Sequence, residues 1–280
     1  MLNLLKMDLY RLFRSIATWV MCLVTIGMAV FVVSMTKLEV SDMLSGGTGT
    51  QTETGTKITD TEVQINLGIS AYFSQEWATG EVPFTEIFST QVATGLFLVV
   101  LSIFVALYVC AEHKNGYIKN IAGQFPNRSL LVLSKVIAVG VQVLLMFLVL
   151  TVAMYVTGKV CYGSRFVFGP FGEFLKMFFG QYVLHYTFAA VILFLGVVSH
   201  SSALSMTIGI LISCKFLSIV YALVERFWTD VTKYALEVNV VRFFTITEKK
   251  EMATVMVSAL VLFGAVTTAA AVVMQKKDVR

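Results

Sequence analysis

The chain has 280 residues, of which 57% are apolar and only 14% charged. Soluble domains average roughly 45–50% apolar and about 25% charged, so this balance in water would leave large apolar patches exposed. With a mean hydropathy of +0.81, the composition excludes an ordinary soluble enzyme, a disordered chain and a small disulfide scaffold, and it predicts an all-α polytopic membrane protein. The net charge of +4 comes from 21 basic and 17 acidic residues scattered along the chain, which leaves no footprint for nucleic acid.

The first predicted element covers residues 1–14. Leu2, Leu5, Leu9, Leu12 and Phe13 share one helical face, with Lys6, Asp8 and Arg11 elsewhere. That pattern predicts an amphipathic helix at the cytoplasmic interface, and it serves equally as a basic flank orienting the next span. A helix needs roughly 20 apolar residues to cross about 30 Å of hydrocarbon. Segments 16–33, 92–111, 136–157, 177–198, 203–224 and 252–274 meet that requirement, giving six predicted spans. The first has too long an apolar run for a signal peptide and no A-x-A-like site after it, so it reads as an uncleaved anchor. The fourth and fifth are separated only by Ser199, His200, Ser201 and Ser202, a tight helical hairpin.

Three connections stand out in this single transmembrane domain of residues 1–280. Residues 37–90 form a long outer loop. Its part at 45–57 is low-complexity, and its later part carries Tyr72, Phe73, Trp77, Phe84 and Phe88. Those aromatics either cap the outer face of a bundle or lie loosely against headgroups. Residues 112–135 form an inner connection. Residues 225–251 are too apolar for a free loop, with Trp228, Tyr234, Val240 and Phe243 among them. A short interfacial or re-entrant helical pair is expected there, since non-helical backbone at that depth must be covered by protein or line a cavity.

Charge sets the orientation. Lys6, Arg11, Arg14, Lys114, Lys119, Arg128, Lys135, Lys276, Lys277 and Arg280 fall on one side, opposed only by Asp8, Glu112 and Asp278. That density of Lys and Arg predicts both termini inside.

Catalytic signatures are missing. The chain has no G-x-x-x-x-G-K-[ST], no H-E-x-x-H and no G-x-S-x-G. Cys22, Cys110 and Cys214 lie in apolar runs without ligand spacing, as small core residues. His113, His185 and His200 fall in different segments. The expectation is no catalytic residue, no metal and no cofactor held by this chain. Two ionisable residues lie inside predicted spans, His185 in the fourth and Lys215 in the fifth. At about 1.5 Å per residue both sit roughly 12–14 Å below the outer boundary. Intramembrane ionisable groups mark functional sites, here a possible translocation path. The plainer reading is a snorkelling lysine and a histidine bonded to a neighbour such as Tyr182.

The inner connection reads EHKNGYIKNIAGQFPNRSLLVLSK from Glu112 to Lys135. Gly116 breaks the second helix, 117–122 form a short helix, and Pro126 disfavours helix at Phe125. The result is a compact helix-turn element between two spans, or simply a basic loop. The stretch resembles the cytoplasmic coupling segment of ABC-2 type transporter permeases. In that family a Glu ends the second helix, followed by a Gly, a basic residue, a Pro turn and a Lys before the third helix. Glu112, Gly116, Lys119, Pro126, Arg128 and Lys135 match. The usual Gly-Thr is Gly116-Tyr117 here, and the usual Pro-Val/Ile-Ser-Arg is Pro126-Asn127-Arg128-Ser129. The opening helix and the layout also resemble the family, and the size resembles its small lantibiotic-immunity and peptide-export permeases.

The resemblance implies a permease subunit in a bacterial plasma membrane. It would pair with a second permease, identical or homologous, and dock a separate ABC ATPase through Glu112, Gly116, Tyr117, Lys119, Pro126 and Arg128. That ATPase would bind ATP and Mg. Export of an amphipathic peptide, antibiotic or lipid-like substrate would follow. The competing classes are a membrane scaffold or sensor that docks a cytoplasmic partner, and an intramembrane lipid-modifying enzyme, for which His185 and Lys215 would have to converge with Glu225 or Asp230.

Overall fold

A computed structural model describes residues 2–44, 77, 80–114, 128–226, 231–246 and 248–276. Helix α1 (Leu2–Arg14) turns at Ser15 into α2 (Ile16–Leu44). A helix end leaves carbonyls without partners. Here α2 supplies them: the Thr18 hydroxyl donates to the Leu12 carbonyl at 2.7 Å, and the Trp19 indole N–H to the Phe13 carbonyl at 2.9 Å. The opening helix is therefore present, but it turns a different face inward. Leu4, Asp8 and Leu12 are buried, whereas Leu2 and Phe13 are exposed. The correction has a simple cause: positions four apart share a face, and packing selected the stripe that holds the charged residue.

The chain next enters β1 (Val82–Pro83), α3 (Phe84–Ala93) and α4 (Leu96–Lys114). Helix α5 (Ser129–Tyr162) leads to β2 (Phe166–Val167), which pairs in parallel with β1 as Val82↔Phe166 and Pro83↔Val167. Then come α6 (Phe171–Ser199), α7 (Ser202–Ser213), α8 (Leu217–Glu225), a 3-10 turn at Val231–Tyr234, α9 (Leu236–Arg242) and α10 (Lys249–Lys276). The hairpin expected at 199–202 is present, with His200 in the left-handed conformation (φ 53°) and its N–H on the Gly196 carbonyl at 3.0 Å.

Helices α5 and α6 are the core. They bury 50% and 56% of their apolar stretches, against 33% for α2 and 17% for α10. One end of the bundle holds α1, the end of α4 and the start of α5. The other, far end holds the β1–β2 pair, α3, α9 and the start of α6. There a cluster of rings fills the space: Phe84 stacks on Phe168 at 5.1 Å, and Phe88 reaches both Phe147 and Phe174. The aromatics at 77, 84 and 88 are thus buried parts of a cap. The Trp77 indole donates to Glu86 at 2.7 Å, and the Arg165 guanidinium donates to the Trp77 and Gly80 carbonyls. The expected Tyr72 and Phe73, Phe227 and Trp228, and the low-complexity stretch lie outside the described residues.

Among the described residues four single helices are long and apolar enough to cross a membrane: Ile16–Leu38, Ser129–Arg165, Phe171–Ser199 and Lys249–Lys276. A fifth exists only as a pair, Phe84–Ala93 with Leu96–Ala111, bent by 56°. The expected second span is therefore broken at Thr94 and Gly95. The expected fifth span, 203–224, is broken too, at Cys214–Phe216. The cause is a helix C-cap of the Schellman type. The Phe216 N–H bonds the Leu211 carbonyl at 3.0 Å, the Lys215 N–H bonds that of Ile212 at 2.9 Å, and Lys215 is left-handed at φ 58°.

The two breaks touch. Gly95 has φ +76°, and a Cβ placed on it would lie 2.7 Å from the Ser213 carbonyl oxygen. Only glycine meets both demands. Gly95→Ala is expected to cost about 1–2 kcal/mol from the backbone alone, and more from the displaced carbonyl. Gly27→Ala is the control, because nothing lies within 4 Å of its new methyl. Thermal unfolding of the purified protein in detergent should show a lower midpoint for the first and none for the second. Equal midpoints would mean that the two breaks do not abut.

Candidate functional site

Two groups of residues merit a functional reading. The first joins α1 to the bundle. Asp8 is only 4% exposed, and α1 packs against α5. The Ser134 hydroxyl donates to Asp8 Oδ2 at 2.5 Å, and the Tyr108 hydroxyl donates to the Asp8 backbone carbonyl at 3.4 Å. Arg11 lies over the Tyr108 ring at 5.1 Å from its centroid, in reach of a cation–π attraction. Lys135, also 4% exposed, follows Ser134 on α5. One residue thus ties α1 to two helices: the Asp8 backbone carbonyl to α4 through Tyr108, and the Asp8 carboxylate to α5 through Ser134.

Those two helices carry the ends of the predicted coupling segment. Glu112 lies in the last turn of α4. Arg128 takes the N-cap position of α5 without a side-chain cap, and its carbonyl accepts the Leu131 N–H at 3.1 Å. Gly116, Tyr117, Lys119 and Pro126 lie outside the described residues. Sequence reasoning counted Asp8 only as a charge and passed over Ser134. The available signal was the Leu4-Asp8-Leu12 spacing.

The second group lies inside the bundle. His185 is fully buried, and its Nδ1 sits 2.8 Å from the Gln181 carbonyl. Its ring meets Phe97 and Phe147 edge-on, with centroids at 5.2 and 4.9 Å. The neighbour that His185 bonds is Gln181, not Tyr182. Tyr182 turns the other way and donates to the Gly140 carbonyl at 3.2 Å. Lys215 is the left-handed residue of the α7 cap. Both candidates flank the paired breaks: Phe97 touches His185 two residues after Gly95, and Ser213, which meets Gly95, lies two residues before Lys215. Glu225 is engaged elsewhere, accepting from the Thr232 backbone N–H at 2.9 Å and from its hydroxyl. No group of three His, Cys, Asp or Glu residues suited to a metal occurs among the described residues.

Beside His185, α9 docks onto α6. Gly180 makes room, since a Cβ there would fall 2.0 Å from the Phe243 ring. The Gln181 amide N–H donates to the Val240 carbonyl at 2.8 Å. Glu237 is buried on α9, and burial pushes its carboxyl above the ordinary range while its own backbone N–H and the Tyr221 hydroxyl oppose that. Sequence reasoning missed Gln91, Gln181 and Asn239, all buried, because uncharged amides hardly disturb an apolar run.

Asp8→Ala and Ser134→Ala each remove the bond between the Ser134 hydroxyl and the Asp8 carboxylate, a loss of about 1–3 kcal/mol. The double variant is expected to lose little more than either single one. Unfolding midpoints in detergent measure all three; fully additive losses would contradict the pairing.

The comparisons agree with this architecture. No curated protein matches the chain. Residues 4–216, from α1 to the break after α7, match the family described as ABC-2 family transporter protein. The chain belongs to that family, as a multi-pass, non-catalytic membrane component of an ABC-2 type transporter.

Proposed function

We propose that this chain is the permease subunit of an ATP-driven exporter with six crossings and both termini in the cytoplasm. The crossings are α2, the bent α3–α4 pair, α5, α6, the broken α7–α8 pair and α10. In this reading the segment 112–135 docks a separate ABC ATPase through Glu112, Gly116, Tyr117, Lys119, Pro126 and Arg128, with α1 alongside. The ATPase holds ATP and Mg. A second permease, identical or homologous, completes the route across a bacterial plasma membrane. The cargo is an amphipathic peptide, antibiotic or lipid-like molecule, as in the immunity and peptide-export permeases that the sequence resembles. Cargo passes near the paired breaks, beside His185 and Lys215.

The observation that carries the reading is the buried Asp8 junction. It links α1, α4 and α5 through the Tyr108 and Ser134 bonds. A partner pressing on α1 or on the segment between α4 and α5 moves both helices together. A loop that only obeyed the charge rule would have no use for a buried carboxylate there.

Affinity purification of the tagged chain from native membranes in mild detergent tests this. A P-loop ATPase is expected to co-purify and to be lost when Glu112 and Arg128 are both changed to Ala. Recovery of a different soluble partner with no ATPase, in several detergents, would favour the scaffold class.

A further inference from the structure

Asp8 is the single acidic residue of α1, and it is turned inward. The surface that α1 leaves outside therefore carries only basic charge. At roughly 100° per residue, the exposed Leu2, Asn3, Lys6, Tyr10, Phe13 and Arg14 fall within one arc of about 120°, opposite Leu4, Asp8 and Leu12. Leu2 and Phe13, 82% and 44% exposed, form one edge of that arc, with Lys6 next to them. Arg14 forms the other edge, its guanidinium donating to the Tyr10 hydroxyl at 2.7 Å. A guanidinium has more donors than that one bond uses. Among the described residues neither Lys6 nor Arg14 meets a carboxylate.

Two observations say what this arc meets. The first is the elbow. Trp19 is 60% exposed, and its indole N–H bonds the Phe13 carbonyl at 2.9 Å, so Phe13 and Trp19 share one stretch of surface. Trp19 belongs to α2, which is long and apolar enough to cross a membrane and also exposes Ile16, Val20 and Leu23. Tryptophan at the end of a span sits at headgroup level. The second is the course of α1. Asp8 meets Ser134 and Cys22 meets Gln142, both partners on α5. About 21 Å of helix from α1 into α2 thus advances only about 12 Å along α5, at about 1.5 Å per residue. Helix α1 runs across the bundle, which keeps Lys6 and Arg14 near the level of Trp19.

A helix in that position, with an apolar edge, basic residues beyond it and its acid hidden, fits a lipid surface of net negative charge. We propose that the outer face of α1 selects anionic phospholipids, such as phosphatidylglycerol, over zwitterionic ones. Lys6 and Arg14 stand about 12 Å apart along the helix, so each meets a headgroup phosphate of its own, while the acyl chains lie against Phe13 and Trp19. An acidic protein surface would satisfy the two cations but would have no reason to continue onto the lipid-facing side of α2. The inference goes beyond the transport reading and needs only that α2 cross a membrane.

The test places the full chain in phosphatidylcholine nanodiscs with a minor fraction of lipid brominated on its acyl chains, either phosphatidylglycerol or phosphatidylcholine, and reads the quenching of tryptophan fluorescence. Brominated phosphatidylglycerol should quench at least about twofold more than brominated phosphatidylcholine at low salt, and the excess should shrink at high salt. Trp19→Phe, which removes the reporter beside Phe13, should abolish the excess. Lys6→Gln with Arg14→Gln should reduce it by more than half. That double variant alters exposed side chains only, so its unfolding midpoint should stay near that of the parent. Equal quenching by the two brominated lipids, an excess that survives Trp19→Phe, or an excess unchanged in the folded double variant would overturn the proposal. Equal quenching together with loss of a co-purifying protein from the double variant would assign the face to a protein partner instead.

Discussion

In hydrocarbon a backbone group that loses its hydrogen bond has no water to turn to. Every helix end inside this bundle must therefore be closed by the chain itself. The elbow between α1 and α2 is closed by Thr18 and Trp19. The end of α7 is closed by two of its own amides in a Schellman cap. The end of α3 is closed by Thr94, whose hydroxyl bonds the Gln91 carbonyl at 2.7 Å. The α3–α4 and α7–α8 breaks lie against each other at Gly95 and Ser213, so these two irregular stretches share one place. Paired helix breaks near the bundle interior are the geometry in which membrane transporters build sites. Here His185 lies beside that place, its ring against Phe97.

The two ends of the bundle are held by different physics. Within lipid, apolar side chains gain little by leaving their solvent, so packing and polar contacts decide association. The far end depends on packing: the rings of Phe84, Phe88, Phe147, Phe166 and Phe174 are fully or nearly fully buried. The end with α1 depends on Asp8, whose carboxylate accepts from Ser134 and whose backbone carbonyl accepts from Tyr108. Packing against many rings is insensitive to small displacements of any one. A charge with a 2.5 Å hydrogen bond is sensitive to them. In the proposed mechanism that places the responsive contact beside the ATPase and the tolerant packing at the far end.

The sequence revealed the class, the opening helix, the long spans and the hairpin at 199–202, because each follows from runs of apolar residues or clustered small polar ones. The two ionisable residues it singled out, His185 and Lys215, lie beside the same pair of breaks. It did not reveal the breaks. Residues 203–224 read as uninterrupted span because the residue that ends α7 is a lysine in a left-handed conformation, where glycine is the usual signal. Gly95 did carry that signal, but it sits among apolar residues that read as helix. Asp8 and Ser134 stand 126 positions apart, and no local pattern joins them. The amides of Gln91, Gln181 and Asn239 were invisible for a related reason. Hydropathy registers charge strongly and amides weakly, while the cost of an unmatched buried amide emerges only when neighbouring helices are in place.

One of the unbroken spans, α5, connects the Asp8 junction with the far end. Helix α5 runs through 34 residues, about 51 Å at 1.5 Å per residue. It carries Ser134 and Lys135 near its start, Phe147 against His185 in the middle, and Lys159 near its end, where the ammonium donates to the Phe166 carbonyl at 2.8 Å. A straight helix transmits displacement with little loss, whereas α4 and α7 each meet a break before the far end. A push on the Asp8 junction would therefore travel along α5 to the His185 region. There it would meet the Gly95–Ser213 contact, where α3 and α8 can reorient while α4 and α7 follow the push. In the proposed exporter this difference between one continuous helix and two broken ones turns a movement at the cytoplasmic face into a change of shape around His185.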